Sequence, residues 1–157
     1  MPKITPCLWF DDQGEAAAAL YTSVFPHSKI VEVTHYGEAG PGEQGAVMTV
    51  AFELDGQPFV ALNGGPDFTF SEAVSFQVDC QSQDEVDHYW TRLSEGGEES
   101  VCGWLKDRFG LSWQIVPSRL TELVSDPDEQ RAQRVVNAML GMKKIDIDAL
   151  ERAAQNP

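Results

Sequence analysis

Twice in this 157-residue chain a short apolar segment runs into a capping residue and then into an amphipathic helix. The first copy begins with Ile4–Phe10, which reads as a strand with Pro6 near an edge or end. Asp12, followed three residues later by Glu15, resembles a capping box. Ala17, Leu20, Tyr21, Val24 and Phe25 then recur at helical spacing until Pro26 ends the segment. The second copy runs from a strand at Val74–Asp79 through a cap at Ser82 and Glu85. A helix with Val86, Tyr89, Trp90 and Leu93 on one face follows, closed by Gly96-Gly97. Trp9-Phe10-Asp11-Asp12 precedes Gln77-Val78-Asp79-Cys80 by 68 positions. This pattern predicts an α+β fold, and the repeat suggests a duplicated module. A strand–cap–helix sequence recurring by chance would look the same.

Each helix is followed by more strands. In the first half these are Lys29–Tyr36, Ala46–Leu54 and Gln57–Asn63, with Asp55-Gly56 as a hairpin turn. Residues 37–45 hold four glycines and a proline and read as a mobile surface loop, and Gly64-Gly65-Pro66 closes the block. In the second half, strands at Glu99–Lys106 and Leu111–Pro117 flank the turn Asp107-Arg108-Phe109-Gly110. From Ser118 on the pattern is helical. Asp126-Pro127-Asp128-Glu129 opens a helix carrying Val135, Val136, Met139 and Leu140, which Gly141 ends, and Asp146 opens a last short helix. The predicted layout is one domain over 1–157, with modules at about 1–66 and 72–118 and a helical extension at about 119–157.

Charge narrows the partners. Twenty-five acidic against eleven basic side chains leave a net charge of −14. Such a field repels phosphate backbones and anionic lipid surfaces, which argues against nucleic acid and membrane partners. No apolar run approaches a membrane span, and the N-terminus has no signal-peptide pattern. Three cysteines without CxxC spacing point to a reduced, cytoplasmic protein. A chain of this size buries enough surface to fold without disulfides or a structural metal.

The run Cys102-Gly103-Trp104-Leu105-Lys106-Asp107-Arg108-Phe109-Gly110-Leu111-Ser112-Trp113-Gln114-Ile115-Val116-Pro117 is distinctive. With Leu62-Asn63-Gly64-Gly65-Pro66 before it and Met142-Lys143-Lys144-Ile145-Asp146-Ile147 after it, the chain resembles the PhnB-like family. That family is a branch of the vicinal-oxygen-chelate (glyoxalase/bleomycin-resistance/dioxygenase) superfamily. The resemblance implies two βαβββ modules, each curling a small sheet around a cavity, and homodimers, often with exchanged modules. Family members often carry the label 3-demethylubiquinone-9 3-methyltransferase. A methyltransferase of the usual kind needs a glycine-rich turn between a strand and a helix. Gly64-Gly65 is followed by Pro66 and more loop, so the sequence gives that label no support.

Superfamily enzymes usually hold a divalent metal on His, Gln or Glu side chains of the strands. The matching positions fall near Thr5, Asn63 and Ser75 and at Gln114. These are neutral donors, and His27, His35 and His88 lie elsewhere without chelating spacing, so neither metal nor other cofactor is expected. The sequence reading is therefore a metal-independent small-molecule binding protein of unknown ligand. Thr5, Cys7, Trp9, Phe59, Asn63, Ser75, Gln77, Cys102, Trp104 and Gln114 are its pocket candidates. Each aromatic also suits a plain core role, and the cysteines suit that of small buried residues. A metal-dependent lyase, isomerase or dioxygenase is the alternative. It requires carboxylates such as Glu53, Glu72 or Asp79 to reach the cavity. No catalytic residue is assigned.

Overall fold

The computed structural model describes residues 2–157, which form two compact units, one ending at Phe70 and the other running from Ser71 to Pro157. In the first, β1 (Cys7–Phe10), α1 (Gly14–Val24), β2 (Lys29–His35), β3 (Val47–Leu54) and β4 (Gln57–Asn63) make a four-stranded sheet of order β1-β4-β3-β2. The β1–β4 pair is parallel and the others antiparallel. Alternation along the strands sends Leu8, Phe10, Val50, Phe52, Phe59 and Ala61 to one face. Ala17, Ala18, Tyr21 and Val24 of α1 are buried, and the Tyr21 ring lies 6.3 Å from Phe52.

The second unit repeats the plan. β5 (Ser75–Cys80), α2 (Gln83–Ser94), β6 (Glu98–Glu99), β7 (Trp104–Lys106) and β8 (Ser112–Pro117) give a sheet of order β5-β8-β7-β6. The β5–β8 pair is parallel, as β1–β4 is. Both units are thus βαβββ modules, as the duplication reading requires. α2 turns Val86, Tyr89, Trp90 and Leu93 inward, and Val78, Cys80, Leu105, Trp113 and Ile115 are buried strand residues.

Three further helices follow: α3 (Ser118–Val124), α4 (Glu129–Leu140) and α5 (Ile147–Gln155). Leu120, Leu123, Val135, Ile145, Leu150 and Ala154 form their own core. Arg119 pairs with Glu151, and Arg134 donates to the carbonyls of Ala153 and Ala154 at 3.0 and 2.8 Å.

Several boundaries differ from the sequence reading. The predicted capping box at Asp12 does not form. α1 begins at Gly14 behind Gln13, whose side chain makes no cap, and the first amide is instead satisfied from β4 by Asn63. The Ser82 cap does form, accepting from the Glu85 amide at 3.2 Å. α4 is capped by Asp128 rather than by Asp126, whose carboxylate accepts from the Asp128 amide one step earlier. Glu99–Lys106, expected as one strand, folds back on itself. Cys102 and Gly103 have φ of 57° and 84°, and the Trp104 amide donates to the Val101 carbonyl at 3.1 Å. Two positive φ values in succession make the type I′ turn that hairpins favour. The loop at 37–45 packs its centre on Tyr36, where a Cβ at Gly42 would collide with the ring.

Candidate functional site

In each unit one sheet face is covered by that unit's own helix, which leaves the opposite face as the candidate binding surface on the sheet. Register partners share a face, and this sorts the candidate residues. In the first unit Cys7 pairs with Val60 and Trp9 with Leu62, so the face away from α1 carries Cys7, Trp9, Val60, Leu62, Thr49 and Ala51. Phe59 and Asn63 lie on the other side. They do not line a wall with Cys7 and Trp9, and this corrects the sequence reading. Phe59 is stacked on Phe52 with centroids 5.4 Å apart, inside the core.

Asn63 has a different task. Its Oδ1 accepts from the Gly14 amide at 2.7 Å, its Nδ2 donates to the Val47 carbonyl at 3.1 Å, and its own carbonyl accepts from the Tyr36 hydroxyl. One side chain therefore ties α1, β3 and β4 together, with both amide atoms engaged. A Cβ at position 14 would come within 2.7 Å of Asn63 Oδ1, which explains glycine there. Gly64-Gly65 serves Trp9. A Cβ at Gly64 would collide with the indole, and the Gly65 carbonyl accepts from Trp9 Nε1 at 2.9 Å. Phe68 meets the same ring edge-on at 4.9 Å.

The second unit does bring its candidates together. Ser75 pairs with Ser112, Gln77 with Gln114, and Trp104 with Gln114, all on the face away from α2. Gln114 Nε2 donates to Ser75 Oγ at 2.8 Å, and Gln77 Nε2 reaches Gln114 Oε1 at 3.4 Å. The result is a ladder of neutral amide and hydroxyl groups across the parallel β5–β8 pair, with the Trp104 indole next in register. Ser112, which strand alternation places on the face of Gln114, was not among the pocket candidates. It is fully buried and its hydroxyl has no hydrogen-bond partner among the described residues. Lys106, next to Ser112 in register, is ion-paired with Glu72. That contact holds the Glu72 carboxyl below, and the Lys106 ammonium above, their ordinary ranges.

The donors do not fit a divalent metal. The positions expected from the resemblance are Thr5, Asn63, Ser75 and Gln114. Asn63 is committed to the protein backbone, and Thr5, Ser75 and Gln114 offer only neutral oxygens, which hold a divalent ion weakly. The β4 positions that do face away from α1 are Pro58, Val60 and Leu62, which offer no side-chain donor. Among the described residues no three His, Cys, Asp or Glu side chains gather to hold an ion. The carboxylates that the metal alternative requires lie on or beside the open faces but already have protein partners. Glu53 pairs with Lys29 at 3.9 Å, Glu72 with Lys106, and Asp79 accepts from Ser118 and Gln81 at 2.5 and 3.1 Å.

The three thiols are free and differ in setting. Cys7 is exposed on β1, and Cys102 sits in the type I′ turn. Cys80 is fully buried, which pushes its thiol up to about 12, with Glu85 and Asp79 adding to the shift. A thiol-specific disulfide reagent at pH 8 is expected to modify Cys7 and leave Cys80 untouched until the protein unfolds. Below the ordinary thiol value near 9, Cys80 is protonated in both states. As pH rises from about 9 to about 12 only the unfolded chain ionises it, so stability falls across that window. Mass-mapped labelling and alkaline denaturation check both statements.

The fold is a paired-βαβββ arrangement of the glyoxalase/bleomycin-resistance type, that of the vicinal-oxygen-chelate superfamily. Within it the chain belongs to the PhnB-like family, whose model, described as 3-demethylubiquinone-9 3-methyltransferase, matches residues 2–116. A PhnB protein from Bacillus cereus is 35% identical with a TM-score of 0.68, over 74% of this chain and 99% of its own. A protein from Pseudomonas aeruginosa shares the fold at 17% identity and a TM-score of 0.63, over 74% and 98% of the two chains. A fosfomycin resistance protein from Listeria monocytogenes does so at 15% and 0.51, over 74% and 93%. No curated protein matches the chain. Among the described residues no helix is long and apolar enough to cross a membrane.

Proposed function

We propose that the protein is a metal-independent small-molecule binder whose ligand lies on the second sheet, on the face away from α2. The observation that carries this reading is the Ser75–Gln114–Gln77 ladder beside Trp104. Binding sites pair apolar or aromatic area with a few polar groups that fix orientation. Trp104 supplies a planar surface, and the ladder supplies donors and acceptors in a fixed row. At 3.4 Å the Gln77–Gln114 contact is long, so a ligand acceptor can replace it at little cost. None of the four side chains titrates in the physiological range. That suits recognition.

The methyltransferase description finds no support in this reading. Gly64-Gly65 accommodates Trp9 and leads into loop, where a cofactor-binding turn would lead into a helix. The same reading includes a reduced, cytoplasmic homodimer, for which light scattering is expected to give twice the 17.3 kDa chain mass; the monomer mass would refute it.

A thermal-shift screen of small planar aromatic compounds tests the site. Compounds that stabilise the protein are expected to bind at least tenfold more weakly to Gln114→Leu and to Trp104→Ala. Losing one well-made polar contact or one stacked ring is worth about 1–1.5 kcal/mol, and 1.4 kcal/mol is a factor of ten. Unchanged affinity in both variants would remove the site from this face.

A further inference from the structure

The chain continues past β8 into α3, α4 and α5, whereas the family match ends at residue 116. The Bacillus cereus chain is 99% covered by 74% of this one, so these helices are an addition relative to it. The segment joining α4 to α5, Met142 to Asp146, is tied to the second module at two places. The Cys102 amide donates to the Met142 carbonyl and the Gly103 amide to the Lys143 carbonyl, both at 2.8 Å. These are the two central residues of the positive-φ turn. At the other place Gln83, at the start of α2, donates to the Ile145 carbonyl at 3.0 Å and accepts from the Ile147 amide at 2.8 Å. Lys144 and Asp87 add an ion pair at 2.8 Å, and Gln83 also donates to Asp87 at 3.1 Å. Ile145 is fully buried and packs over Gly103, where an added Cβ would lie 3.2 Å from its side chain.

We propose that the C-terminal helices act as a clamp on the Val101–Trp104 turn, with Gln83 as the positioning residue that seats the strap and so sets the pose of Trp104. In a type I′ turn the amides of the two central residues point outward and are left to solvent. Here the strap carbonyls take both, and one of those residues is Cys102, a side chain that tolerates positive φ poorly. Trp104 follows immediately. Its amide closes the turn on Val101 and its carbonyl accepts from the Ser100 amide at 2.9 Å, while the Gly103 carbonyl accepts from the Ile115 amide at 2.8 Å. The turn that the strap holds is therefore the one from which Trp104 enters the sheet. The functional weight of this inference rests on Trp104 being a ligand contact, whereas the clamp itself is testable without any ligand.

The test uses the full chain labelled with 5-fluorotryptophan, whose four tryptophans give four fluorine lines, with the Trp104 line assigned by Trp104→Phe. Amide exchange is followed in parallel on wild type, Gln83→Glu and Gln83→Ala. Glutamate keeps the acceptor for Ile147, loses the donor to Ile145 and sets a carboxylate against Asp87. Gln83→Ala is expected to lower protection at least tenfold at Ile147, Cys102 and Gly103 together. The Trp104 line should shift, the Trp9 line should hold, and Gln83→Glu should lower protection at the same amides and shift the same line. Loss of protection at Ile147 with Cys102, Gly103 and the Trp104 line unchanged would overturn the clamp. If Gln83→Ala fails to fold, the same comparison between wild type and Gln83→Glu decides. A positive result alongside a failed ligand screen would leave the clamp standing and remove only the binding role of Trp104.

Discussion

Replacing Asp107 with alanine is expected to lower the stability of the second unit by about 3–5 kcal/mol, the largest single effect we anticipate. Asp107 is 2% exposed, and its carboxylate gathers three donors from the turn and strand that follow it. Oδ1 accepts from the Phe109 and Leu111 amides at 2.8 and 3.1 Å, and Oδ2 accepts from Trp113 Nε1 at 2.9 Å. Hydrogen bonds to a charged group contribute about 1.5–3 kcal/mol each, and a buried donor left unpaired costs about 1–3. Alanine removes the acceptor and leaves all three donors. Asparagine retains one oxygen for the two amides but turns an NH₂ toward Trp113, and about half the loss is expected. Urea unfolding followed by tryptophan fluorescence measures both variants. A loss under 1 kcal/mol for Asp107→Ala would contradict this account of the turn.

Asn63→Ala is expected to cost about 2–3 kcal/mol. The Gly14 amide loses its only cap, an effect of about 1 kcal/mol at a helix N-terminus, and the half-buried Val47 carbonyl loses its donor. Gln114→Leu, whose partners face away from the helix, is expected to cost less than 1 kcal/mol while weakening ligand binding. The two variants thus separate a structural amide from a binding one. Full stability in Asn63→Ala together with lost binding would reverse the assignment and return Asn63 to the ligand site.

The plan of the fold was legible because it rests on local signals. Helical spacing in Val86, Tyr89, Trp90 and Leu93, the Ser82 cap and the Asp55-Gly56 turn each fix their own segment without help from elsewhere. The α4 cap was missed by two residues for a local reason, but the larger misses involve partners distant in sequence. The α1 cap comes from Asn63, 49 residues away, so the local Asp12 and Glu15 pattern was outcompeted. The hairpin at Cys102-Gly103 was hidden because cysteine at positive φ is a poor turn signal, and the strap that holds it lies about forty residues on. At the site, alternation within one strand was read well. Ser75 with Gln77, and Cys7 with Trp9, were grouped by it, whereas Thr5 lies before β1 begins. Which face of β4 meets α1 is a tertiary fact, and choosing it wrongly moved Phe59 and Asn63 into the pocket. The Ser75–Gln114 bond depends on the parallel β5–β8 register, which no local pattern announces.

The most direct test of the central claim is ligand binding by protein stripped with a strong chelator, compared with protein supplied with zinc, nickel, manganese or iron and analysed for bound metal. The account predicts that small planar ligands raise the melting temperature of the stripped protein as much as that of the supplied protein, that metal stays well below one per chain, and that Gln114→Leu removes most of the shift. Stoichiometric metal, with stabilisation by ligand appearing only when it is present, would contradict the account and place the chemistry on donors other than the amide ladder.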